Sequence, residues 1–106
     1  MSKYIISGYK PEALFRFFED ISAIPRGSKN EAKIADYLEK FAAERRLFCW
    51  RDKLHNVLIK SPASPGYENE PAVLLQGHTD MVCEKNSGTC HDFLSDPLEL
   101  CVEGNW

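Results

Sequence analysis

The sequence predicts an α/β fold in which two helices pack on a mixed, incomplete β-sheet. Three observations predict it: two stripes of helical period near the start, two short β-type segments after them, and an unbroken apolar run further on. Helices and strands that follow one another in one chain are expected to bury their apolar faces as packed layers.

The first helix opens at Pro11, since proline suits a first helical turn. Leu14, Phe17, Phe18 and Ile21 then fall at i, i+3, i+4 and i+7, a single apolar stripe. Pro25 and Gly27 end it. Ser28-Lys29-Asn30-Glu31 reads as a capping box for the second helix, with hydroxyl and carboxylate each taking a free backbone N–H. Ile34, Ala35, Leu38, Phe41 and Ala42 continue that helix on one face, and core packing accounts for both stripes.

Leu47–Arg51 and Asn56–Lys60 are β-type segments, and the link Asp52–His55 is short enough for a hairpin. Ser61–Pro71, with three prolines, one glycine and two glutamates, is a surface loop. Ala72–Leu75, running on into Gln76, has the unbroken apolar pattern of a strand buried on both faces. Leu98, Leu100 and Val102 alternate with Glu99, Cys101 and Glu103 as in a half-buried strand. Gly104-Asn105 then signals a two-residue hairpin turn, with only Trp106 left of the returning strand. A strand that ends on a turn without its return is the expectation for a piece cut from a longer protein.

Length and charge narrow the function. The 106 residues suffice for one domain and bury roughly two-thirds of the unfolded surface. Hydrophobic residues at 43% and charged residues at 27% are ordinary globular usage, against disorder or a fibrous chain. The run Ala72–Leu75 is far short of the roughly twenty apolar residues of a membrane span. Thirteen Lys and Arg against sixteen Asp and Glu leave a formal charge of −3, without the basic footprint that a nucleic acid needs. Met1–Ser7 lacks the apolar stretch of a secretory signal, so a cytoplasmic location is expected. Cys49, Cys83, Cys90 and Cys101 form no C-x-x-C pair, and in a reducing compartment they are expected as free, buried apolar thiols.

The chemistry concentrates where the apolar run enters Gly77-His78-Thr79-Asp80-Met81-Val82. Sites in open α/β sheets form at the carboxyl ends of strands. Gly77 allows a tight turn before His78. A neutral imidazole can ligate a metal through one nitrogen while a carboxylate, here Asp80, holds the other N–H. By itself the G-H-x-D string is a weak signal, and a satisfied structural histidine is the better reading of it. Among the other candidates, Glu84 reads as a solvated loop carboxylate, His91 as turn packing beside Asp92, and His55 as structural. Cys83, Cys90, His91 and Cys101 have an unusual spacing for a structural zinc site.

The stretch Ala72–Val82 resembles the first metal-binding motif of the zinc metallopeptidase superfamily that contains carboxypeptidase G, aminoacylase and the cytosolic dipeptidases. Its continuation through Met81–Asn86, His91-Asp92-Phe93 and Asp96-Pro97-Leu98 looks most like the aminoacyl-histidine dipeptidases. Ile21–Pro25 and His55–Ile59 suit the same family's amino-terminus, so the resemblance runs from about Leu14 to Trp106. It implies that residues 1–106 are the N-terminal portion of a metallopeptidase catalytic domain, without the family's lid and dimerisation domain.

It further implies His78 as a zinc ligand and Asp80 as the catalytic-site carboxylate that orients it. In the complete family enzyme two zinc ions, with cobalt or manganese as substitutes, hold a hydroxide and polarise the scissile carbonyl of a short peptide. The base and the other ligands come from segments without a counterpart here. The resemblance therefore implies a dipeptidase piece that is inactive alone, with any homodimer confined to the complete enzyme. A non-catalytic structural or interaction module derived from such a piece is the alternative.

Overall fold

The computed structural model describes residues 3–106. Its order is α1 (Glu12–Ser22), α2 (Ala32–Glu44), β1 (Phe48–Arg51) and β2 (Val57–Lys60), an α/β arrangement.

Helix α1 follows Pro11 as its stripe requires, and Phe15 N–H reaches the Pro11 carbonyl at 3.4 Å. Its C-terminal carbonyls are taken by backbone N–H groups of Ala23 and Ile24 and by the Arg26 guanidinium, which donates to the Ile21 carbonyl. The Glu19 carboxylate accepts the N–H groups of Ile5 at 2.7 Å and Ile6 at 3.0 Å, laying the preceding segment along the helix. The stripe is only partly covered, because Leu14 and Phe18 are exposed.

Helix α2 starts at Ala32 without the expected capping box. Its cap position is Glu31, with no side-chain cap bond, and Lys29 stands in the left-handed region at φ 70°. The Glu31 carboxylate accepts from Lys29 N–H, two residues back, rather than from Ser28. At the other end Leu47 N–H bonds Ala42 O and Arg46 N–H bonds Ala43 O, a Schellman pair with Arg46 at φ 54° in the position glycine usually fills.

Strands β1 and β2 pair antiparallel, Phe48 with Lys60 through Arg51 with Val57. The connecting turn is organised by Asp52, whose carboxylate accepts Leu54 N–H, Asn56 N–H and the Asn56 side-chain amide at 2.7–2.9 Å. Helix α2 packs across both strands, and its small buried residues Ala35 and Ala42 let the backbones come close, with Ile34 as the third core residue. Arg51 pins the hairpin to the helix by ion pairs to Asp36 at 2.6 Å and Glu39 at 3.4 Å. Helix α1 meets α2 edge-to-face through Phe17 and Phe41, with ring centroids 5.4 Å apart.

The expected mixed sheet is a two-stranded antiparallel hairpin among the described residues. Ala72–Gln76 forms no strand and is unpaired, and Val73, Leu74 and Leu75 are 86%, 75% and 91% exposed. A strand buried on both faces needs a strand or helix on each side, and none of the described residues supplies one. Leu98–Val102 is likewise no strand. Leu98 makes a single bond to the Ser22 carbonyl, while the turn beyond it does form, with Glu103 and Trp106 exchanging reciprocal backbone bonds at 2.9 Å across Gly104 at φ 60°. The radius of gyration, 16.7 Å, exceeds the ~13 Å of a compact chain this long, which follows from those unpaired segments.

Candidate functional site

His78 and Asp80 lie on the stretch after Gln76, at the end of the apolar run. The expected tight turn at Gly77 is not used: its φ lies outside the left-handed region and open space surrounds it. What holds this stretch is the α1–α2 connection. Met81 N–H donates to the Arg26 carbonyl at 2.9 Å, and Gly27 and Met81 form one parallel rung. Gly27 is buried there, and a Cβ on it would run into Cys83 Sγ.

The structure brings His78 and Asp80 together. His78 Nδ1 lies 2.9 Å from the Asp80 carbonyl oxygen and 3.1 Å from Asp80 Oδ1. Both neighbours are acceptors, so Nδ1 carries the proton and Nε2 keeps its lone pair. The imidazole side chain is 85% exposed, so Nε2 is open to an incoming partner. Asp80 Oδ2 accepts the Ser28 hydroxyl at 2.5 Å. That bond, more than the His78 ring, holds the Asp80 carboxyl below its ordinary value, against a smaller desolvation effect. Ser28 thus belongs to the site, although its spacing to Glu31 had marked it only as a cap. No local sequence signal points from Ser28 to a carboxylate 52 residues away.

The donor set fits one arm of a metal centre and not a whole one. Among the described residues no group of three or more His, Cys, Asp or Glu converges on a point, whereas a catalytic zinc takes three protein ligands. Cys83, Cys90 and Cys101 are exposed and Cys49 half-buried, all free, which corrects the expectation of buried thiols. His91 packs edge-on against Phe93 at 5.0 Å, just ahead of the turn that Asp92 opens. His55 is structural, its Nδ1 accepting from Arg51 Nε at 3.1 Å. Glu84 is exposed.

A cavity of about 610 Å³ lies elsewhere. It is an apolar groove between α1 and the chain end, walled by Leu14, Phe18, Ile21, Leu100 and Trp106, and it holds no histidine or carboxylate. Among the described residues no helix is long and apolar enough to cross a membrane.

No protein-family model matches the chain. Over 101 residues, 95% of its length, it is 40% identical to the cytosol non-specific dipeptidase of Escherichia coli (strain K12), of which it covers 21%. The crystal structure of the aminoacylhistidine dipeptidase from Vibrio alginolyticus matches 98% of the chain with a TM-score of 0.88 at 43% identity, again over 21% of that protein. Homologues of this chain are thus dipeptidases by name, and the chain spans about a fifth of their length.

Proposed function

We propose that this chain forms the N-terminal portion of the catalytic domain of a cytoplasmic, metal-dependent dipeptidase that cleaves short peptides, Xaa-His dipeptides among them. The reading is carried by one observation: a solvent-facing imidazole whose Nδ1 is held by Asp80 while Nε2 is left open, in a chain 40–43% identical to dipeptidases across almost all its length. His78 is the metal ligand, with zinc the expected ion and cobalt or manganese able to replace it. Asp80 keeps the ring in the tautomer that presents Nε2. When bound, the metal supplies a hydroxide nucleophile at neutral pH.

One imidazole cannot hold that ion, so the chain alone is inactive and the remaining ligands, the base and any homodimer contacts come from outside residues 1–106. The substrate is a short peptide. The formal charge of −3 gives a nucleic acid no purchase.

The test is a chimera in which this chain replaces the matching 101-residue stretch of the Escherichia coli relative. It should hydrolyse dipeptides, lose activity to a chelator, and fall by more than about 100-fold in His78→Ala, beyond the effect of removing a ligand's supporting group. A folded chimera without activity on a dipeptide panel overturns the reading and favours a non-catalytic module. Activity that survives His78→Ala overturns the ligand assignment.

A further inference from the structure

Asp80 has two carboxylate oxygens and both are engaged by side chains. Oδ1 meets His78 Nδ1 at 3.1 Å, and Oδ2 accepts the Ser28 hydroxyl at 2.5 Å. The two bonds share one rigid, planar group, so holding Oδ2 fixes the rotation that aims Oδ1 at the imidazole. Ser28 is itself held in place. It follows Gly27, which forms the parallel rung with Met81, and it precedes Lys29, whose backbone is left-handed at φ 70°. The hydroxyl is released from capping because α2 begins four residues later, at Ala32.

We infer that Ser28 is a positioning residue: through Asp80 it holds the His78 imidazole with its proton on Nδ1 and its lone pair on Nε2. The inference rests on the ligand role proposed for His78. Without the hydroxyl, the Asp80 carboxylate is free to turn toward water. The imidazole then keeps the Asp80 carbonyl oxygen, 2.9 Å from Nδ1, but loses the carboxylate at 3.1 Å, so its preference for the Nδ1–H form weakens and part of the lone pair passes to Nδ1. A ligand that presents Nε2 for only part of the time binds its metal more weakly by that fraction. The α1–α2 connection therefore acts on a site carried by a segment 50 residues further along, with no contact of its own to the metal.

The experiment uses the chimera with Ser28→Ala, Ser28→Thr, Asp80→Ala and the Ser28→Ala/Asp80→Ala pair. Two quantities are measured: the His78 tautomer in the metal-free protein, from two-bond ¹⁵N–¹H correlation spectra, and zinc affinity, by competition with a chromophoric chelator. Ser28→Ala should raise the share of the Nε2–H tautomer and weaken zinc binding by the matching fraction, at most roughly 10-fold, the lower end of what losing such a supporting group costs. Ser28→Thr, which keeps the hydroxyl, should stay close to the unmodified protein. In the Asp80→Ala background, Ser28→Ala should add nothing, because its route to the imidazole is gone.

An unchanged tautomer in Ser28→Ala overturns the inference, and so does an equal loss of affinity in both backgrounds. Ser28 is exposed, so its truncation leaves no buried cavity. If Ser28→Ala nevertheless unfolds, a mixed tautomer in Ser28→Thr overturns the inference, since that variant retains the donor. Failure of the wider reading shows separately, as zinc affinity unaltered by His78→Ala, and the metal-free tautomer still decides the role of Ser28.

Discussion

Residues 12–60 and residues 61–106 are built on opposite terms. The first stretch contains both helices and both strands, and among the described residues every buried hydrophobic one sits on α2. The second has no helix or strand, exposes Val73, Leu74 and Leu75, and yet carries His78 and Asp80. It is joined to the first at a few points, chiefly Met81 to Arg26, Ser28 to Asp80, and Leu98 to Ser22. The difference teaches that the scaffold and the chemistry are segregated along the chain. The one histidine of the scaffold half, His55, is occupied by Arg51, and the half with His78 borrows its geometry from the scaffold.

The largest effect should come from the scaffold. Ile34→Ala removes the bulkiest of the three buried core residues and should cost about 2–5 kcal/mol, read as a lower urea midpoint. A loss under about 0.5 kcal/mol, typical of a surface position, would mean that α2 and the hairpin are not the core.

Leu75→Ala sharpens the contrast because its effect should depend on context. In this chain alone, with Leu75 91% exposed, the cost should stay within about 0.5 kcal/mol. In the chimera, where the proposed complete domain covers the run, it should rise to about 2–5 kcal/mol. Equal small costs in both would show that the run is not a buried strand in the larger protein.

Acidification should loosen the scaffold at one identified place. The Asp52 carboxyl lies below its ordinary value, chiefly because Asn56 donates to it from side chain and backbone. A lowered folded-state pKa contributes stability that is present above the ordinary value of about 3.9 and is lost as pH falls below it. Amide exchange in β1 and β2 should therefore quicken as pH drops below about 4, after correction for intrinsic rates, and Asp52→Asn should blunt that change. Exchange protection that is insensitive to Asp52→Asn would remove the carboxylate from the account of the turn.

The smallest effect tests the seam between the two halves. A Cβ at Gly27 would meet Cys83 Sγ, the end of an exposed side chain that can rotate away. Gly27→Ala should cost under about 1 kcal/mol, below the range for overpacking a rigid core, and Cys83→Ala should relieve most of it. No relief from Cys83→Ala would mean that the two segments do not touch there.

Much of the first half was legible because its signals are local. The spacing of Leu14, Phe17, Phe18 and Ile21 and of Ile34, Ala35 and Ala42 repeats within the hydrogen-bonding range of a helix, and a link of five residues keeps β1 and β2 close enough to pair. The turn at Gly104-Asn105 was legible for the same reason, and it forms even with no strand around it. Ala72–Gln76 was legible as apolar but not as unpaired, since pairing is a property of its neighbours. Ser28 was misread because a capping box is a pattern of four residues, whereas the partner its hydroxyl found is 52 residues away.

The sequence by itself determined the two helices, the hairpin, the mildly acidic balance, and the placement of a histidine two residues before an aspartate after an apolar run. Only the tertiary structure decided which nitrogen of His78 is held, that Ser28 completes the arrangement, and that the apolar run lies open to solvent. The physical reason is range. Helical periods and tight turns are settled by bonds between residues a few positions apart. A tautomer, a hydroxyl's partner and the burial of a strand depend on groups that folding alone brings within a few ångströms.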